Sequence, residues 1–196
     1  FKPRMLKKNR GKNAYEAVIL SQLEHEAIPQ LLGVIHQPGL YAFILEYKPG
    51  ETLERLLFAH HRRFEQAEIY QIGQQLIQIL KHLHARGVVH RDIRIPNVLL
   101  HQGKVSLVDF GLARWADGQC YSFDQDFSYL GDLLLFLHYS TYEQRQRKSR
   151  PWYDELDLTG AQILLYKRML RLEEPFASIQ ELEEAFMAAF DIHPQG

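Results

Sequence analysis

Apolar side chains recur along this chain at two different periods, and the switches between them predict its elements. Over residues 13–24 (NAYEAVILSQLE), Tyr15, Val18, Ile19 and Leu23 fall on one helical face. Two short apolar runs follow, Leu31–Ile35 and Tyr41–Leu45, split by His36-Gln37-Pro38-Gly39. A Pro-Gly pair between β-rich runs predicts a hairpin. The stretch Glu46–Gly50 breaks the pattern, and Thr52 then opens a helical segment to about His60. The strongest periodicity spans 66–86, where Ile69, Ile72, Leu76, Leu80 and Leu83 form a stripe and Gly87 stands at a C-cap. Val98–Leu100 and Val105–Val108 flank His101-Gln102-Gly103-Lys104, which predicts a tight hairpin. Residues 127–139 are apolar nearly all round and predict a helix buried on most faces. Two more helices are expected, at 160–171 and at 179–190, the second opened by a capping box from Ser178 to Glu181. A small mixed part therefore precedes a larger, mostly helical one.

Composition narrows the possibilities. The 196 residues suffice for one domain, or for two small lobes sharing a core, that needs neither disulfide nor structural metal. Lys and Arg total 23 against 24 Asp and Glu, so no global field points to nucleic acid or to an anionic membrane. The single cysteine, Cys120, fits a reducing compartment, and the longest apolar run, Leu133–Leu137, is far too short to span a bilayer. A cytoplasmic protein is expected. The chain opens at Phe1 without an initiator Met, which suggests a fragment.

The candidate chemistry gathers around the second hairpin. Antiparallel strands bring together the residue before the first and the residue after the second, here Asn97 and Asp109. An amide oxygen and a carboxylate suit a hard cation, Mg²⁺ or Mn²⁺, that keeps phosphate oxygens as further ligands. Asp92 lies five residues before Asn97 and can reach a hydroxyl beside that phosphate, while Arg94 can supply positive charge.

These strings resemble a known family. His90-Arg91-Asp92-Ile93-Arg94-Ile95-Pro96-Asn97 is similar to the HRD catalytic loop of Hanks-type serine/threonine protein kinases, and Asp109-Phe110-Gly111 to their DFG motif. The resemblance implies an α+β, two-lobed protein-kinase-like fold. A partial N-lobe would cover 1–46, a hinge 47–50 and a helical C-lobe 51–196, all one domain. It implies transfer of the γ-phosphoryl of ATP to protein Ser or Thr, with Asp92, Arg94 and Asn97 catalytic and Asn97 and Asp109 holding the metal. Lys2 paired with Glu16 would hold the α/β-phosphates. Backbone groups of Glu46 and Lys48 would bond the adenine beside the gatekeeper Leu45, and Leu99 would line its site. Leu31, Leu20, Phe110 and His90 would stack into a column joining the lobes, and Asp126 with Leu130-Gly131 would start the helix that anchors the catalytic loop. ATP and a protein substrate would be the partners.

Two departures stand against the family pattern. The Gly-rich loop is absent from this sequence, and only sixteen residues separate Asp109 from Asp126, with no Ala-Pro-Glu among them. The short segment is similar to that of compact kinases with reduced peptide docking. A pseudokinase interaction module, or an ATPase or small-molecule kinase on the same fold, therefore stays open. HRD in place of an HGD-type loop favours protein acceptors. Arg91 is expected on local backbone or on a carboxylate such as Asp124 or Asp126. Tyr121 and Ser122 are candidate modification sites. The basic run Arg145, Arg147, Lys148 and Arg150 reads as a solvated loop that leaves an acidic or RNA partner open. The histidines His60, His61, His82 and His84 read as surface or helix-end residues without metal.

Overall fold

The computed structural model describes residues 10–37, 40–143 and 150–190. Helix α1 (Arg10–Leu20) leads into the antiparallel pair β1 (Leu31–Gln37) and β2 (Leu40–Leu45), whose register runs from Gly33 against Ile44 to Gln37 against Leu40 and shifts by one residue before Leu31, which faces Leu45. Both strands outrun their apolar cores by a residue or two, because backbone pairing continues after the burial pattern ends. The helix expected at 13–24 starts earlier and stops at Leu20, where Ser21 and Gln22 turn the chain. The expected turn at Pro38-Gly39 lies outside the described residues.

After a linker, the short strand β3 (Glu51–Thr52) runs into helix α2 (Leu53–Phe58), whose first turn is capped by the Thr52 hydroxyl accepting from Arg55 N–H at 3.1 Å. Helix α3 (Gln66–His84) buries the forecast stripe. Gly87, at φ +70°, ends that stretch in the left-handed conformation that glycine adopts without strain. The strand β4 (Val88–Val89) pairs with β7 (Arg114–Trp115), while β5 (Val98–His101) and β6 (Lys104–Leu107) form the second hairpin, joined on its outer edge by β3. Gln102 and Gly103 both have positive φ, the geometry a two-residue turn needs to match strand twist.

Helices α4 (Asp124–His138), α5 (Trp152–Glu155), α6 (Gly160–Met169) and α7 (Ile179–Phe190) complete the helical part. Leu130, Leu134 and Leu137 of α4 are wholly buried, which is why its sequence carries almost no polar face. Helix α7 packs on α3 where Gly73 leaves room for the Phe186 ring; a Cβ there would collide with it. The closed capping box falls on α6, between Thr159 and Gln162. At α7, Ser178 Oγ does accept from Glu181 N–H, but the Glu181 carboxylate accepts from Ala177 N–H and pairs with Arg168 at 2.5 Å. The expected box is thus half formed, because a guanidinium competes for the carboxylate. No helix among the described residues is long and apolar enough to cross a membrane.

Candidate active site

The loop between β4 and β5 is built from below. Asp126, in the first turn of α4, is fully buried and accepts three hydrogen bonds: from His84 Nε2 at 2.9 Å, His90 N–H at 2.9 Å and Arg91 N–H at 2.8 Å. A buried carboxylate needs such partners, and the helix N-terminus adds a favourable field. Two of the donors are backbone groups, so they fix the loop where Arg91 takes φ +67°, a conformation costly for a long side chain. His90 is wholly buried and meets Phe110 edge-to-face at 4.6 Å, while its Nδ1 accepts from Asp92 N–H at 3.2 Å. Burial holds its pKa below the ordinary histidine value, so it serves as a neutral packed ring.

That foundation presents a cluster of three side chains. The Asp92 carboxylate is gripped by Arg94, Nε to Oδ1 at 2.7 Å and a terminal guanidinium nitrogen to Oδ2 at 3.2 Å. Asn97 Nδ2 donates to the Asp92 carbonyl at 2.9 Å and to Asp92 Oδ2 at 2.7 Å. Both amide protons of Asn97 are thereby used, and its Oδ1 is left as the atom able to take a cation. Just after this cluster β5 begins, and Val108 N–H donates to the Asn97 carbonyl at 2.9 Å, closing the hairpin end beside Asp109 as the register requires.

Asp109, Glu16, Glu46, Lys48 and Leu99 all line a cleft of about 300 Å³ between the small part and the helical part, with Leu45 and Phe110 in its walls. Asp109 is exposed, has φ +64° and accepts from Gly111 N–H at 3.2 Å. A Cβ on Gly111 would stand 3.2 Å from Asp109 Oδ1 and 3.8 Å from Glu16 Oε2, so the glycine keeps the space beside both carboxylates open. Burial first, and the Asp109 charge second, push the Glu16 pKa above its ordinary value. A cation on either carboxylate would relieve that repulsion. Of the expected column, Leu20 lines the same cleft as Phe110, and Leu31 packs on the core from β1. A larger hollow of about 500 Å³, beside His138, Tyr142, Arg150 and Asp154, shares no residue with the cleft or the loop.

The protein kinase domain family model matches residues 2–191. The chain belongs to that family. A probable serine/threonine-protein kinase of Bacillus subtilis, YbdM, is 34% identical over 191 residues, covering 92% of this chain and 75% of its own. The mouse hormonally up-regulated neu tumor-associated kinase is 36% identical over 102 residues, 52% of this chain and 14% of its own. The mouse serine/threonine-protein kinase A-Raf is 32% identical over 109 residues, or 53% and 18%. The protein is a protein-kinase-like phosphotransferase with a mixed α+β fold.

Lys2 and the basic residues Arg145, Arg147 and Lys148 lie outside the described residues; Arg150 is exposed. The Arg91 guanidinium takes the local backbone, donating to the Leu112 carbonyl at 3.1 Å, and stacks over the Tyr121 ring at 4.5 Å. Asp124 is unavailable to it, being paired with Arg171 at 3.0 Å. Two roles escaped the sequence reading. His84 supports Asp126, although its place in His84-x-x-x-x-x-His90 at the end of α3 could have suggested it. Tyr15 packs edge-on to Trp115 at 6.2 Å and under Arg114 at 5.1 Å, tying α1 to β7; nothing in the spacing signals that contact.

Proposed function

We propose that the protein transfers the γ-phosphoryl group of ATP to Ser or Thr hydroxyls of protein, with Asp92 as the acceptor of the substrate proton. The observation that carries this reading is the Asp92–Arg94–Asn97 cluster, with Asn97 Oδ1 left without a hydrogen bond at the hairpin end that Asp109 follows. A Mg²⁺ ion held by Asn97 Oδ1 and Asp109 would neutralise phosphate charge, and these two oxygen donors fit such an ion. Asn97 and Arg94 hold the Asp92 carboxylate in place. Arg94, already charged and half-released to solvent, reaches the transferring group as a planar donor. Glu46 spends its N–H on the Gln30 carbonyl at 2.9 Å, so its own carbonyl and the Lys48 N–H serve the adenine, over Leu99. Lys2 would bridge Glu16 and the α/β-phosphates. Residues 1–196 belong to one domain, with 1–46 as a partial N-lobe, 47–50 as hinge and 51–196 as C-lobe, and the cytoplasm is its compartment.

A scaffold without activity has no use for an exposed Asp109 next to a preset amide oxygen, which favours catalysis over the pseudokinase reading. The test is thermal. Mg²⁺ with ATP should raise the melting temperature, since a ligand stabilises by RT ln(1 + [L]/Kd). Asp109→Ala should remove the metal-dependent part of the shift. An unchanged shift in that variant would sink the assignment.

A further inference from the structure

The side chain of Lys48 does something that its place in the linker does not require. It is only 8% exposed, and its ammonium donates to the Glu26 carbonyl at 2.6 Å and to Glu46 Oε1 at 2.9 Å. The other Glu46 oxygen accepts from Gln30 N–H at 3.2 Å, while Glu46 N–H donates to the Gln30 carbonyl. Three of these interactions knit residues 46–48 to the turn at 26–30, and the fourth ties Lys48 to Glu46. That turn is itself footed on the helical part: Leu107 N–H donates to the Ala27 carbonyl at 2.9 Å, and His25 packs against His82 at 4.8 Å. Tyr47, between the two clasped residues, is turned out to solvent at 81% exposure. Residues 46–48, just past the end of β2, themselves line the cleft.

We propose that the Lys48–Glu46 clasp is a positioning device for the nucleotide base, holding the cleft-facing backbone of 46–48 in its binding geometry before the ligand arrives. The proposal rests on the ATP reading above. A lysine buries its charge only where the acceptors are fixed, and here they are a backbone carbonyl and a carboxylate already held by a second amide. Ordering the backbone in advance removes that cost from binding. In the ATP reading residues 46–48 meet the base and Asp109 the phosphate end of the same cleft, so the clasp's effect should be the same for a nucleoside as for the full nucleotide.

The experiment compares adenosine and Mg²⁺-ATP binding by calorimetry, with amide exchange at Glu46 and Lys48 as a readout that needs no ligand. Lys48→Met should weaken adenosine and ATP by the same factor, about tenfold, and speed exchange at both amides by a similar factor. It should also raise KM for ATP more than it lowers kcat. Lys48→Arg, which restores a charged donor, should recover most of the affinity. Should Lys48→Met fail to fold, Glu46→Gln loosens the clasp more gently and should weaken both ligands about threefold. Adenosine affinity within twofold of the unmodified protein in these variants would overturn the proposal, as would a loss confined to ATP. Faster exchange in a protein that binds neither ligand would overturn the ATP reading instead, and the base-positioning role with it.

Discussion

The loop at 90–97 and the segment at 111–123 are neighbours, joined where Arg91 lies on Tyr121, yet different forces hold them. The loop hangs from Asp126, a carboxylate on a core helix with no exposed surface, and its own His90, Ile93 and Asn97 are buried. The segment organises itself at the surface. Asp117 Oδ1 accepts from the N–H groups of Gln119, Cys120 and Tyr121 at 2.9, 2.8 and 2.8 Å, and Asp117 N–H donates to the Tyr121 carbonyl at 3.1 Å. Long activation segments are ordered by an added phosphate that meets an arginine. Here an aromatic face and a backbone carbonyl already occupy Arg91, and the loop is ordered by the Asp117 turn together with the pairing of β7 on β4. Tertiary packing sets the reacting groups, and local hydrogen bonding sets what surrounds them.

The contrast breaks most visibly at Asp126. Asp126→Ala strands three donors, two of them buried, and each buried group left unpaired costs roughly 1–3 kcal/mol. Denaturant unfolding should register a loss of ~3 kcal/mol or more, with phosphotransfer falling alongside. A loss below ~1 kcal/mol with activity intact would mean that the loop does not depend on the core.

Asp117→Ala should behave in the opposite way. Global stability should change little, while amide exchange at Gln119, Cys120 and Tyr121 accelerates at least tenfold, as expected for local opening. Acid should mimic the substitution. The amides of Tyr121 and Gln119, foremost among its partners, hold the Asp117 pKa below its ordinary value. Its contribution is therefore complete above the ordinary aspartate range and is lost as pH falls through the lower folded value. Protection at Gln119, Cys120 and Tyr121 should fade on acidification; protection unchanged through that range would mean that Asp117 does not hold the turn. The smallest effect is expected at the aromatic contact. Tyr121→Phe combined with Ser122→Ala keeps a ring under Arg91 and should leave phosphotransfer within about twofold. A tenfold loss would make the segment a switch.

The same division governs what the sequence could reveal. The stripe of α3, the all-apolar face of α4 and the Gln102-Gly103 turn are local patterns, and each element formed within a few residues of its expected bounds. Asp92, Asn97 and Asp109 were legible because a hairpin register is arithmetic. Lys48 was legible as a backbone position but not as a buried clasp, since its acceptor Glu26 is 22 residues away. The two-residue pairing of Val88–Val89 with Arg114–Trp115 is too short for any period to mark. Asp117 anchors a turn with only Gly118 to hint at it, and Tyr121 meets Arg91 across thirty positions. Contacts made by single side chains over long separations leave no repeat to read.

The central claim is that Asp92 does the chemistry in a site whose nucleotide binding is built elsewhere. Single-turnover transfer from γ-labelled ATP to a protein acceptor, measured beside ATP affinity for the unmodified protein and Asp92→Asn, addresses it directly. Removal of a general base costs roughly 10²–10⁴ in rate, so the variant should bind ATP within a few-fold of normal and transfer at least a hundredfold more slowly. Equal transfer rates in the two proteins would contradict the account.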